Sequence, residues 1–117
     1  MVAYPENLTL GNYVDIGAFT YIQAQHGVVI EDNAQIGSHC AIYSANTIDG
    51  VFGKVVIRDN AKIGANSVVL PGVTIGREAK IGACSLVKRD VPAGSIYCGV
   101  PARPRCTSRS PPGGEKL

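Results

Sequence analysis

His26 and His39 are the only histidines among the 117 residues, and near them stand the side chains best able to do chemistry. An imidazole changes charge near neutral pH, so it suits removal of a proton from an attacking hydroxyl or amine. Gln23 and Gln25 beside His26, and Tyr43, Ser44, Asn46 and Asp49 after His39, offer amides, hydroxyls and a carboxylate that could bind a sugar or orient an imidazole. The four cysteines (Cys40, Cys84, Cys98 and Cys106) form no CxxC pair and follow no secretory signal sequence. They read as reduced thiols of a cytoplasmic protein, with Cys40 acting as a small buried hydrophobe.

Whether any of these groups meet depends on the elements that carry them. Charged residues make up 17% of the chain and the formal charge is +2, so no broad basic field would draw nucleic acid. No apolar run is long enough to insert into a bilayer. Tryptophan is absent and glycine numbers 14, so the core must be built from small and β-branched aliphatic residues.

Those residues recur with a period of six. The ladder runs Leu10, Ile16, Ile22, then Ile30, Ile36, Ile42, Ile48, then Ile57, Ile63, Val69, Ile75, Ile81, Val87. Two steps are longer, eight residues from Ile22 to Ile30 and nine from Ile48 to Ile57. A period of six fits neither an α-helix nor an amphipathic strand; it fits a solenoid of short strands separated by corners. Glycine often follows the aliphatic residue, and a small residue stands four places after it, as at Ala34, Cys40, Ala61, Ser67 and Ala79. Three hexads make one triangular coil of eighteen residues, which explains why "AKIGA" occurs at 61 and again at 79. The fold expected is an all-β parallel β-helix of about four coils.

The small column breaks at His26, Asn46 and Phe52, beside the two long steps. Regular hexads carry packing, so the breaks mark the middle of the prism as the place for a site. Uniform stacking puts Ile63 over Ile42 and under Ile81. On that count one edge carries His26, then Asn46 and Thr47, then Ala65 and Asn66, then Ala83 and Cys84. A second edge carries Phe19, His39, Asn60 and Glu78, and the loop 49–56 stands on the third.

The [Ile/Leu/Val]-Gly-x-x-[small]-x ladder and the stretch "VVLPGVTIGREAKIGACSLVKRDVPAGSIYCGVPAR" resemble the hexapeptide-repeat acyltransferases, above all the galactoside and maltose O-acetyltransferases and the bacterial amino-sugar N-acetyltransferases. The resemblance covers roughly residues 8–105. It implies a left-handed coil, against the right-handed rule for ordinary parallel crossovers. It also implies a homotrimer with sites between subunits, acetyl-CoA as co-substrate and a small sugar as acceptor, in surface-polysaccharide synthesis. Ala65 and Ala83 match positions that meet the pantetheine arm, and Lys88, Arg89, Arg103 and Arg105 match the stretch that meets the phosphates.

The galactoside-type enzymes carry their essential histidine after a segment like "IYSAN", where this chain has Thr47. The amino-sugar enzymes carry theirs close to "IGSHC", within one residue of His39, so His39 leads as the base, His26 is second, and N-acetylation is preferred over O-acetylation. With His39 on a different edge from Ala65 and Ala83, a neighbouring subunit would have to present it across the groove.

Other readings of the same solenoid are a non-catalytic scaffold, an ice-binding protein and a γ-class carbonic anhydrase. The anhydrase holds zinc by three histidines, and two are present, so no metal is assigned. Residues 1–9 are expected to cap the first coil, 10–91 to form the β-helix, 92–106 to fold back as the other cap, and 107–117 to be a disordered tail.

Overall fold

The computed structural model describes residues 1–104, and the chain winds there as a parallel β-helix with three faces. One face is a five-stranded sheet of Val2–Ala3, Tyr21–Gln23, Ala41–Tyr43, Val68–Val69 and Leu86–Val87. The second has four strands, Leu8–Leu10, Val28–Ile30, Val55–Ile57 and Thr74–Ile75. The third stacks Asp15–Ile16, Gln35–Ile36, Lys62–Ile63, Lys80–Ile81 and Ile96–Cys98, and closes with an antiparallel strand, Arg103–Pro104. Strands this short cannot stand alone, and each is fixed by backbone hydrogen bonds to the coils on either side.

In the central coils one side chain of a strand points in and its neighbour out, the two-residue alternation of β structure. Ile22, Ile30, Ile42, Ile57 and Ile75 are at most 1% exposed, and they line the axis with Val69 and Val87. Ala34, Ala61 and Ala79 fill the narrow corners and are wholly buried. Cys40 is 2% exposed among them, and burial pushes its thiol up from the ordinary cysteine range, against the opposing effect of backbone hydrogen bonds from Ser67 and Asn66.

The AKIGA repeat stacks as expected, Lys62 on Lys80 and Ile63 on Ile81. The register on the other side differs from the uniform count. Ile63 pairs with Ile36, not with Ile42, and Ile42 lies between Ile22 and Val69. The coils are unequal. Tyr21 pairs with Ala41, twenty residues on; Ala41 pairs with Val68, twenty-seven on; Val68 pairs with Leu86, eighteen on.

Ile48 accounts for the difference. Its spacing predicts a rung, but it is 93% exposed, in an excursion whose arms Ala45–Asn46 and Val51–Phe52 pair as a small antiparallel hairpin. The ladder therefore has one rung fewer, and everything after the excursion turns onto a different face. His26 is not an inward position either. Val28, fully buried, takes the inward place on the next strand, and Val91 bridges Ile75 as a further rung.

Two glycines show how closely the coils approach. A Cβ at Gly37 would lie 2.6 Å from the Ala65 nitrogen, and one at Gly64 would lie 2.5 Å from the Ala83 nitrogen. Any larger residue there would push successive coils apart.

Ile42→Ala should cost about 2–5 kcal/mol in equilibrium denaturant unfolding, because it leaves a cavity on the axis. Ile48→Ala, outside the core, should stay within about 0.5 kcal/mol of the parent protein. Iodoacetamide at pH 8 should modify exposed Cys84 in the folded protein and reach Cys40 only on unfolding, as read by peptide mass spectrometry.

Candidate functional site

Each corner between the third and first faces places one residue in left-handed backbone. These are Phe19, His39, Asn66 and Cys84, with φ between 58° and 63°. The His39 amide donates to the Ala18 carbonyl at 3.0 Å, the Asn66 amide to the Ser38 carbonyl at 3.0 Å, and the Cys84 amide to the Ala65 carbonyl at 2.9 Å. Ser38, Ala65 and Ala83 consequently form one column, with His39, Asn66 and Cys84 beside it.

His39 thus shares its edge with Ala65 and Ala83, one coil from Ala65 and two from Ala83. This corrects the uniform count, which put His39 on another edge and His26 on this one. Asn60 and Glu78, grouped with His39 by that count, stand instead at the corner of Tyr13 and Asn33, where the Asn60 amide donates to the Asp32 carbonyl. His39 is exposed, and its ring stacks on Phe19 with centroids 5.0 Å apart and an interplanar angle of 28°.

The neighbouring corner, at the far side of the first face, carries His26 and the hairpin. The loop expected on a third edge rises from this corner, because the Gly53 amide returns to the Ser44 carbonyl at 2.9 Å. Ser44 is fully buried and organises the corner. Its Oγ accepts from the His26 amide at 2.9 Å and donates toward the Gln23 carbonyl at 2.9 Å or the Gln23 Oε1 at 3.0 Å. The His26 ring packs against Phe52, centroids 4.8 Å apart. All three breaks in the small column do gather here, since Asn46 pairs with Val51 beside Phe52.

Between hairpin and first face lies a cavity of about 440 Å³, lined by Tyr21, Gln23, Tyr43, Ala45, Asn46, Thr47, Ile48 and Leu70. The Tyr21 and Tyr43 rings pack at 5.9 Å on its floor. Asn46 Nδ2 donates to Asp49 Oδ2 at 3.2 Å, and Asn46 Oδ1 accepts from the Ile48 amide at 3.1 Å, so the turn's polar groups are tied to one another. The arrangement offers an aromatic floor with amide and hydroxyl groups at the rim, a combination suited to a sugar ring.

The basic residues separate. Arg103 pairs with Cys98, and Cys98 Cβ lies 2.8 Å from where a Gly82 Cβ would be, so Arg103 is near the Ala83 end of the His39 edge. Lys88 and Arg89 are exposed across the width of the first face, on the hairpin side. Arg105 lies outside the described residues, as does the tail 107–117. Gln23 and Ser44, among the polar groups that the sequence offers for orienting an imidazole, fix the His26 corner through their hydrogen bonds. Phe19 and His39, placed on one edge by their spacing of twenty residues, do share it, and their rings stack.

Residues 54–89 match the family described as bacterial transferase hexapeptide (six repeats). The chain is 36% identical over 104 residues to a serine acetyltransferase of Mycobacterium tuberculosis, covering 85% of this chain and 45% of that protein. It is 33% identical over 113 residues to the dTDP-4-amino-4,6-dideoxy-D-glucose acyltransferase of Escherichia coli, covering 83% and 59%. The chain thus spans about half the length of these curated relatives. Among solved structures it is similar to a point mutant of AntD, an N-acyltransferase from Bacillus cereus, in complex with dTDP-4-amino-4,6-dideoxyglucose and coenzyme A. The TM-score is 0.77 at 30% identity, over 84% of this chain and 62% of that one. With its stacked hexapeptides and these likenesses, the chain is a hexapeptide-repeat β-helix that resembles the acyltransferases built on that repeat.

Proposed function

We propose that the chain is an acetyl-CoA-dependent acyltransferase that acylates the amino group of a nucleotide-linked amino sugar. One observation carries this reading. His39, the residue best suited to take a proton, shares an edge with Ala65 and Ala83, whose small side chains leave room for an extended thioester arm.

The acceptor nitrogen attacks the thioester carbonyl carbon, the carbon–sulfur bond breaks, and the leaving thiolate needs a proton. His39 takes the proton from the amine as the new bond forms and passes it to the sulfur, so amide and free thiol are the products. Backbone N–H groups of the corner would hold the oxyanion. Arg103, with Lys88, Arg89 and Arg105, would meet the phosphates of the coenzyme, for which guanidinium and ammonium groups supply charge and several donors. Tyr43, Asn46 and Asp49 would bind the sugar. The His39 edge and the hairpin cavity lie at opposite sides of the first face, and a homotrimer with sites between subunits would bring one subunit's edge to another's cavity. The setting would be cytoplasmic surface-polysaccharide synthesis.

The serine acetyltransferase likeness supports a second reading, in which the acceptor is the hydroxyl of a small amino acid. An acceptor panel separates the two. Thiol release from acetyl-CoA should appear with dTDP-linked 4-amino sugars and not with L-serine. His39→Asn should lower kcat/KM by about 10²- to 10⁴-fold, the usual contribution of a general base. His26→Asn should change it less than about threefold, since the His26 ring packs on Phe52 and does not line the cavity. Acetyl-CoA should also slow iodoacetamide modification of Cys84, next to Ala83 on the edge. Absence of both protection and turnover at millimolar acetyl-CoA would refute the enzyme reading and favour a scaffold.

A further inference from the structure

Phe19 is 80% exposed, an unusual place for a phenyl ring, and it is held in left-handed backbone at φ 63°. Left-handed backbone is disfavoured for a bulky side chain, whose Cβ crowds the following carbonyl. The solenoid requires this conformation at the corner but not an aromatic residue. The same position is Asn66 and Cys84 in the later coils.

Phe19 matters because of what is stacked on it. His39 occupies the same corner position one coil along, with φ 58°, so the two side chains leave the backbone in the same direction. Adjacent coils are separated by about 4.8 Å, the ordinary strand spacing. The ring centroids lie 5.0 Å apart at 28°, so the register of the helix itself produces the stack. Without that ring, an exposed imidazole would rotate freely about a broad sp³–sp² torsion. With it, one imidazole face is covered and the ring is held near-parallel to the phenyl plane.

We infer that Phe19 is a positioning residue for His39, fixing the plane of the imidazole on the edge it shares with Ala65 and Ala83. This role rests on the acyltransferase reading. The phenyl face also becomes more useful as the reaction proceeds. When His39 takes the acceptor proton it becomes a cation over an aromatic face, an attraction made in the transition state and weaker before it. Loss of the ring should therefore reduce kcat and leave KM for both substrates unchanged.

The test compares Phe19→Leu, Phe19→Tyr and the parent protein in the thiol-release assay. The His39 imidazole resonances are followed by NMR in the same samples. Leucine at this exposed site keeps the fold, which the thermal midpoint checks. Phe19→Leu is expected to lose the ring-current displacement of the His39 protons and to lower kcat about fivefold. Phe19→Tyr is expected to restore both. A Phe19→Leu variant with parental kcat, a change confined to KM, or a Phe19→Tyr variant no better than Phe19→Leu would overturn the role while leaving the acyltransferase reading intact. If the parent protein turned over no acceptor, the reading itself would fail and this role with it.

Discussion

The registered hydrogen bonding of one coil to the next is the constraint on which everything else in this protein rests. Among the described residues no strand exceeds three residues, and the Ile30 and Ile57 side chains meet because their backbones are paired. The same pairing brings the corners into columns. Close approach is then obligatory, which is why Gly37 and Gly64 tolerate no side chain and why the inner corner positions are alanine, serine, threonine or cysteine, with valine (Val28, Val55, Val73) at the second face. Buried hydroxyls do not disturb this economy. Thr20 Oγ1 donates to the Gly37 carbonyl at 2.8 Å, and Ser67 Oγ donates to the Gly82 carbonyl at 3.1 Å, so each polar corner is satisfied by the neighbouring coil.

From that register comes a division of labour between edges. The left-handed corner of Phe19, His39, Asn66 and Cys84 is smooth, repeats at the coil spacing and projects successive side chains along one line. The corner of Tyr13, Asn33, Asn60 and Glu78 is charged instead. There Arg58 pairs with Glu31 at 3.0 Å and Arg77 with Asp59 at 3.1 Å, exposed ion pairs of small energetic value that lace adjacent coils. The third corner departs from the repeat, and its hydrogen bonds converge on Ser44.

The sequence made the repeat legible because packing imposes it. Isoleucine and valine at every sixth place have no other common cause, and the AKIGA echo located one full coil correctly. Periodicity failed where the chain left the prism. Ile48 has the side chain and the spacing of a rung, and nothing local distinguishes an aliphatic residue turned inward from one on a hairpin tip. One false rung rotated every later hexad by a face, which separated His39 from Ala65 and joined His26 to it. The candidate residues were thus visible individually, while their grouping depended on the lengths of two irregular coils. Those lengths are set by the Ser44 corner and the hairpin, whose hydrogen bonds join residues far apart in the chain.

The hairpin at 45–52 shows how such an architecture can change. It leaves the prism after Ser44 and returns at Gly53, and the Gly72 amide meets the Gly53 carbonyl at 3.2 Å as though nothing intervened. The coils above and below are undisturbed. A corner is therefore a neutral port: residues inserted there answer to solvent and ligand, not to the isoleucine column. Recognition and support are written in separate parts of the chain, so the size and chemistry of the cavity wall can drift while the stack of coils that holds the edge stays fixed.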